Sequence, residues 1–134
     1  MGAKPQILAV DDNSISLATI EQDLRGLYEV IPINSGVRAL QYLKKEKPDL
    51  ILLDIQMALK DGIETLREIR EMEDCRDIPV IMLTSKKDKE TIVLSAKLGV
   101  SEYVLKPFNT QNLRERIERV LNESKKPVWH KSDG

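Results

Sequence analysis

The chain has 134 residues, of which 41% are hydrophobic and 32% are charged, a balance that fits one soluble globular domain. Its 21 basic and 22 acidic residues give a net charge of −1, so we expect no direct nucleic-acid binding. No apolar run approaches the roughly 18 residues of a membrane helix, and Cys75, the only cysteine, is expected to be an exposed or half-buried thiol of a cytoplasmic protein.

Five short apolar runs alternate with amphipathic segments along the chain, which predicts five strand-then-helix units. The predicted strands are, in order, QILAV (6–10), YEVIPI (28–33), LILLD (50–54), PVIMLT (79–84) and EYVLK (102–106). Each following helix has apolar residues that share a face: Leu17, Ile20 and Leu24; Val37, Leu40 and Leu43; Ile63, Leu66 and Ile69; Ile92 or Val93 with Ala96; Leu113, Ile117, Val120 and Leu121.

The helix boundaries have local signals of their own. Asn13 or Ser14 can cap the first helix, and Ser35 with Gly36 opens the second. Gly99 is expected as the C-cap of the fourth helix. The fourth and fifth helices are predicted over about 88–98 and 110–123.

The strict alternation predicts an α/β fold with a doubly wound parallel sheet and helices on both faces. Pro32 cannot donate to a strand ladder, so the second strand should lie at an edge. The third and fourth strands are apolar throughout, as expected for central strands, and the shorter fifth strand suits the other edge. The strand order 2-1-3-4-5 satisfies these constraints.

One domain over residues 1–123 accounts for all five units. Residues 124–134, with the sequence SKKPVWHKSDG, lack periodicity and are predicted to be a flexible tail or a linker. A stand-alone domain and a piece of a longer regulator are both compatible with this pattern.

Polar side chains stand at the carboxyl ends of four predicted strands. Asp11 and Asp12 follow the first strand, and Asp54 ends the third. Thr84 ends the fourth strand and Lys106 ends the fifth. Because ligands of open α/β sheets bind beyond the carboxyl ends of the strands, we expect these side chains to converge on one site.

The charges of this cluster predict its chemistry. Two carboxylates about 4 Å apart repel by roughly 4 kcal/mol at an effective dielectric of 20, so the cluster requires either a cation or protonation. Mg²⁺ commonly takes one or two carboxylates together with phosphate oxygens. Asp54, at the end of the central strand, can then act as a nucleophile that forms an aspartyl phosphate.

Four motifs together resemble the receiver domains of bacterial two-component response regulators, which are CheY-like. They are AVDDN, LLDIQM, MLTS and KPF, and the resemblance spans about residues 5–123. It implies a flavodoxin-like, three-layer (βα)5 sandwich. It also implies a phosphoprotein of a phosphorelay that carries out only self-catalysed phosphotransfer and autodephosphorylation.

The resemblance assigns roles to the site residues. Asp54 would accept a phosphoryl group from a histidine kinase or phosphotransfer protein. Mg²⁺ would be bound by Asp12, by Asp11 through water, by Asp54 and by the backbone carbonyl of Gln56.

The remaining roles concern the switch from site to surface. Thr84 would contact the phosphoryl oxygens, and Lys106 would pair with carboxylate and phosphate. Tyr103 stands at the position of the switch aromatic, and the Lys106–Pro107 peptide is expected to be cis. The face of helix four, strand five and helix five would then bind a downstream target, an output domain or a second copy.

Alternative interpretations exist for each residue and for the whole. Asp11 and Asp12 alone could simply favour a helix N-terminus, and Lys106 alone could be a surface lysine. A Mg²⁺-dependent hydrolase with an aspartyl nucleophile and an unphosphorylated docking module on the same fold are rival functions. The family usually has Met-Pro where this chain has Met57-Ala58, which leaves the rigidity of that loop open but removes no catalytic group.

Overall fold

Five strands and five helices alternate in the computed structural model, which describes residues 3–124. The strands are β1 Gln6–Val10, β2 Glu29–Ile33, β3 Leu50–Leu53, β4 Val80–Thr84 and β5 Glu102–Leu105. The helices are α1 Ser14–Leu24, α2 Gly36–Leu43, α3 Gly62–Glu71, α4 Lys89–Lys97 and α5 Thr110–Ser124. Within this described range, no helix combines the length and the apolar character that crossing a bilayer requires.

The sheet is parallel throughout, and its strand order is β2-β1-β3-β4-β5. This confirms the predicted order and places Pro32 on an edge strand, opposite Ala9. All residues of β3 and β4 are buried, as expected for central strands covered on both faces. The switch point of the sheet therefore lies between β1 and β3.

Successive residues of the strands supply two cores, one on each face of the sheet. In β1, Ile7 and Ala9 pack with α1 and α5, whereas Leu8 and Val10 pack with α2 and α3. Each fully buried large aliphatic side chain contributes about 1.5–3 kcal/mol relative to leaving it exposed. These two cores hold the carboxyl ends of the strands in register at one edge.

The buried faces of α2 and α4 differ from the predicted ones. In α2 the buried residues include Ala39 and Leu43, whereas Val37 is 45% exposed. In α4 the buried residues are Thr91 and Ser95, and Val93 is 43% exposed.

The α4 prediction failed because small hydroxyl residues can be buried cheaply when the helix itself satisfies them. The Thr91 hydroxyl donates to Asp88 Oδ2 at 2.7 Å, and the Ser95 hydroxyl donates to the Thr91 carbonyl at 2.9 Å. Ala96 is exposed rather than packed on the sheet. Ile92 and Leu94 of α4 are only partly buried.

Cys75 is completely buried, so the prediction of an exposed or half-buried thiol was wrong. The turns after α3 fold this residue inward, and its Sγ lies 3.7 Å from the Leu43 carbonyl oxygen. Burial raises the pKa of the Cys75 thiol.

The predicted caps are present. Asn13 caps α1 with its side chain, and Ser35 does the same for α2. Gly99, with φ +81°, directly follows the C-cap residue Leu98 of α4. Ser124 still belongs to α5, and the rest of the predicted tail lies outside the described residues.

Candidate functional site

Asp54 occupies the center of the site because it is the first residue after the buried strand β3. Its N–H donates to the Val10 carbonyl at 3.0 Å, which aligns the ends of β1 and β3. Its Oδ1 accepts the N–H of Gln56 at 3.3 Å, and the residue is only 7% exposed. A carboxylate is therefore held at the switch point of the sheet with little contact to solvent.

Gly62 lets the start of α3 come close to this strand end. A Cβ at this position would lie 2.1 Å from the Asp54 carbonyl oxygen and 2.7 Å from the Ile55 Cα. The Gly62 N–H donates to the Ile55 carbonyl at 2.9 Å. Only glycine fits this approach, so Gly62 shapes the turn that carries Gln56.

The two acids after β1 lie in different environments. Asp11 is 2% exposed, and its Oδ1 accepts the N–H of Asn13 at 2.9 Å. Asp12 is exposed, and its Oδ2 accepts the N–H of Ala58 at 2.8 Å. The adjacent acids thus project one carboxylate into the site and one over its rim.

Lys106 is the cation that faces the buried acids. Its Nζ donates to Asp11 Oδ2 at 2.5 Å and lies 3.6 Å from Asp54 Oδ2. The Ser16 hydroxyl, which sequence reasoning did not single out, is 3.3 Å from the same nitrogen. The peptide bond between Lys106 and Pro107 is cis, as the resemblance implied.

Thr84 completes the cluster from β4. The residue is fully buried, and its Oγ1 accepts the N–H of Lys86 at 3.3 Å. Beyond it, Tyr103 is half-buried, and its hydroxyl donates to the Lys86 carbonyl at 2.5 Å. The backbone of Lys86 thereby links the site to the predicted switch residue.

A hydrogen bond between two loops crosses the mouth of the site. The Ser85 hydroxyl donates to Gln56 Oε1 at 2.6 Å. The sequence indicated Gln56 but gave no reason to pair it with Ser85, because the pairing depends on the paths of two loops.

The electrostatic balance of the site is negative. One ammonium, on Lys106, faces two buried carboxylates, and the carboxylate of Asp12 adds a third negative charge at the rim. Burial raises the pKa of Asp54, although the Thr84 hydroxyl and the Lys106 ammonium act to lower it. The carboxylates of the site therefore outnumber its one ammonium, which favours binding of a further cation.

The donor set fits Mg²⁺, a hard cation that prefers oxygen ligands. Among residues 3–124, no three acidic, imidazole or thiol groups are arranged as a ready-made metal cage. Mg²⁺ usually takes one or two carboxylates and keeps several waters. The carboxylates available to it are those of Asp11, Asp12 and Asp54.

All the strand-end residues predicted from the sequence come together at this edge. The residues that sequence reasoning missed are the ones contributed by loop geometry: Ser16, Ala58, Gly62 and Ser85. The departure at Met57-Ala58 was a signal for one of them, because alanine, unlike proline, has an N–H to donate.

Comparison with known proteins gives a consistent result. The response regulator receiver domain family matches residues 7–118. The chain is 35% identical over 120 residues to the alkaline phosphatase synthesis transcriptional regulatory protein PhoP of Bacillus subtilis, an alignment that covers 89% of this chain and 49% of PhoP. The chain thus spans about half the length of this curated relative, and less of others.

Two solved structures are similar over nearly their whole length. A CheY-like response regulator receiver domain protein from Methanospirillum hungatei has a TM-score of 0.85 at 30% identity, with 92% of this chain and 98% of that one covered. The receiver domain of sensor histidine kinase PA1611 from Pseudomonas aeruginosa has a TM-score of 0.82 at 31% identity, with 90% and 99% covered. The latter holds a magnesium ion in its active-site cleft.

Proposed function

This chain belongs to the response regulator receiver domain family of two-component signalling, and we propose that it is switched by phosphorylation of Asp54. The observation that carries the proposal is the placement of Asp54, which is buried at the end of β3 with the Lys106 ammonium 3.6 Å from its Oδ2. The partner that supplies the phosphoryl group is a histidine kinase or a phosphotransfer protein.

The proposed step is an attack of an Asp54 carboxylate oxygen on the phosphorus of a phosphohistidine. The new O–P bond forms as the P–N bond breaks, and the bonding electron pair leaves with the imidazole nitrogen, which then takes a proton. Lys106 and Thr84 flank the carboxylate and offer an ammonium and a hydroxyl to the phosphoryl oxygens. Both groups stabilise negative charge that the transfer brings into the site.

Mg²⁺ is the cofactor of the proposal, and it would be held by Asp12, Asp54 and the backbone carbonyl of Gln56, and by Asp11 through water. When bound, it neutralises the charge of the acids and of the incoming phosphoryl group. The excess of carboxylates over cations at the site supports this assignment.

Loss of the signal follows from hydrolysis of the aspartyl phosphate, again without a separate enzyme. Water attacks phosphorus, the O–P bond to Asp54 breaks, and inorganic phosphate leaves. The Gln56 amide oxygen accepts the Ser85 hydroxyl at 2.6 Å, two residues after the proposed phosphoacceptor. We assign Gln56 a role in setting the lifetime of the phosphorylated state.

A partner surface adjoins the site. An open groove there is lined by residues of α1, of the loop after β4 and of the loop after β5, including Ser85, Lys106 and Phe108. Ile15, at the start of α1, also lines this groove and is 76% exposed. An exposed apolar side chain in a groove that Lys106 also lines supports docking of a phosphodonor protein there.

We assign the binding of downstream partners to a different surface of the domain. The proposed output surface is the face of α4, β5 and α5, where Val93 and Leu105 are 43% and 42% exposed. A downstream protein, an output domain or a second copy of the chain would bind it, without direct contact of this domain to nucleic acid or membrane. The proposal places this activity in the cytoplasm.

The test is labelling with a small-molecule phosphodonor such as acetyl phosphate, with Mg²⁺ and with the metal chelated, followed by mass mapping. We expect a label on Asp54 only with Mg²⁺, and none in Asp54→Asn. Asp61→Asn is the matched control, since it removes a carboxylate from the same loop while asparagine can still cap α3. Stoichiometric labelling of Asp54→Asn at another residue, or labelling without metal, would contradict the proposal.

A further inference from the structure

The loop after the proposed phosphoacceptor is tied to the acid pair by a backbone hydrogen bond. The Ala58 N–H donates to Asp12 Oδ2 at 2.8 Å, across 46 positions of sequence. This bond joins the β1–α1 loop to the β3–α3 loop on the exposed side of the site.

The bond depends on the residue type at position 58. Proline, the usual family residue there, has no N–H and cannot donate to a carboxylate. Alanine supplies that donor without adding any side-chain group that could itself bind a ligand.

The conformation of the next residue shows that this loop path has a cost. Leu59 has φ +68° and is fully exposed, so its side chain gains no packing in return. A left-handed conformation is unfavourable for a residue with a Cβ. Such strain persists where surrounding contacts over-determine the backbone.

Those contacts are present on both sides of Leu59. Before it, the Ala58 N–H is bound by Asp12; after it, the Lys60 N–H donates to the Ala58 carbonyl at 2.8 Å. Lys60 also forms an ion pair with Glu68 of α3. The loop is therefore held at the acid on one end and at α3 on the other.

The bond leaves half of the Asp12 carboxylate available. Among residues 3–124, the Oδ1 of Asp12 accepts no hydrogen bond, whereas its Oδ2 is bound to Ala58. A carboxylate with one oxygen fixed by a donor and the other exposed is oriented to bind a cation through the exposed oxygen.

We infer that the Ala58 N–H is a positioning group for Asp12, which it orients as a ligand for Mg²⁺. This inference rests on the proposed function, because it requires Mg²⁺ to bind at Asp12. Groups that orient a metal ligand in this way typically change metal affinity about 10–100-fold when they are removed. The effect expected here is an effect on binding and does not require phosphorylation.

The test measures Mg²⁺ affinity of the unphosphorylated chain by isothermal titration and by amide chemical shifts during titration with MgCl₂. Ala58→Pro should weaken binding about tenfold, whereas Ala58→Ser, which keeps the N–H, should bind within about twofold of the wild type. Because proline could distort the loop, a second variant replaces the Ala58 amide with an ester by semisynthesis. The ester removes only the donor and should reproduce the loss.

The outcomes separate this inference from the proposed function. If the wild type binds Mg²⁺ and is labelled at Asp54 but the ester variant binds Mg²⁺ equally well or more tightly, the positioning role is wrong and the proposed function stands. If the wild type neither binds Mg²⁺ nor is labelled, both are wrong. Equal weakening in Ala58→Ser would also overturn the inference, since that variant retains the donor.

Discussion

The carboxylate of Asp54 is buried, and burial disfavours its ionised form. Burial raises its pKa, and the nearby Asp11 raises it further, while Thr84 and Lys106 act in the opposite direction. Because the pKa is raised on folding, the folded chain holds the proton more tightly than the unfolded chain does. Ionised Asp54 therefore reduces stability at neutral pH, and the same residue carries the proposed chemistry.

We predict that metal-free Asp54→Asn is more stable than the wild type. The gain in free energy of unfolding is full above the folded pKa of Asp54. It shrinks as pH falls and vanishes below the unfolded value of about 3.9, where the wild-type carboxyl is protonated in both states. Urea unfolding with a chelator, at neutral and acidic pH, measures this difference.

The control for that comparison is Asp74→Asn, which removes one negative charge from an exposed position. It should leave the midpoint nearly unchanged, since surface substitutions usually stay within about 0.5 kcal/mol. A lower free energy of unfolding for Asp54→Asn than for the wild type at neutral pH would show that local pairing outweighs burial.

At the residue scale, the sequence predicted side chains whose position is set by the sheet. Asp11, Asp54, Thr84 and Lys106 follow strand ends, and parallel strands bring their carboxyl ends to one edge. Ser85 could not be predicted as a partner of the site in this way, because its role depends on where two loops pass each other. Loop paths have no periodicity from which such a contact can be inferred.

Among the elements, α4 is held at its ends more than along its length. Asp88 caps its N-terminus by accepting the Thr91 hydroxyl at 2.7 Å and the Thr91 N–H at 3.0 Å, and these two bonds lower the pKa of Asp88 to about 2. At the other end, Arg70 of α3 donates to the carbonyls of Leu98 and Gly99 at 2.9 and 3.1 Å. The middle of the helix buries only small hydroxyl side chains.

Arg70 also connects this helix end to the loop before β4. Its guanidinium donates to the carbonyls of Arg76 and Ile78, each at 3.1 Å. Burial lowers the pKa of Arg70, and the four carbonyls compensate for lost hydration. One side chain thus fixes the base of α4 to α3 and to the start of β4.

We predict that Arg70→Met lowers the free energy of unfolding by about 2 kcal/mol, since hydrogen bonds to a charged donor contribute roughly 1.5–3 kcal/mol. It should also speed amide hydrogen exchange in α4 more than in α3. Arg67→Met is the matched control, because Arg67 lies exposed on the same helix. Equal stability of the two variants would mean that the carbonyls are satisfied as well by water.

The element scale shows where periodicity predicts structure and where it does not. In α5, four apolar residues predicted to share a face are buried, and all lie in one core. In α4, hydrophobicity pointed to Ile92 or Val93 together with Ala96, but the buried residues are Thr91 and Ser95, and Ile92 is only partly buried. A hydroxyl bonded within its own helix packs like a small apolar residue, and a hydropathy pattern does not register that.

At the scale of the whole molecule, two hydrogen bonds in sequence connect the site to Tyr103 on β5. Thr84 Oγ1 accepts the Lys86 N–H at 3.3 Å, and the Lys86 carbonyl accepts the Tyr103 hydroxyl at 2.5 Å. If the Thr84 hydroxyl turns to a phosphoryl group, the Lys86 N–H loses its acceptor. The Lys86 backbone is then less fixed, and the Tyr103 hydroxyl can lose the Lys86 carbonyl as its acceptor. Leu105 of β5, which is 42% exposed, pairs with Thr84 in the sheet.

A ligand shifts such an equilibrium only through contacts that differ between the two states. The Tyr103–Lys86 bond stabilises the conformation in which Thr84 Oγ1 is engaged by the Lys86 N–H and is not turned to a phosphoryl group. Removing it should favour the alternative state even without phosphate.

We therefore predict that Tyr103→Phe moves the unphosphorylated domain toward its phosphorylated conformation. A hydrogen bond contributes about 0.5–1.5 kcal/mol, so the population ratio should change roughly two- to tenfold. Amide resonances of α4, β5 and α5 should shift along the line from unmodified to phosphorylated wild-type positions, and labelling at Asp54 should persist. Tyr42→Phe is the control and should leave those resonances in place, because Tyr42 lies on α2, which follows the edge strand β2 at the other end of the sheet from β5. Resonances that stay at unmodified positions in Tyr103→Phe, or that move off that line, would show that this hydrogen bond does not hold the switch.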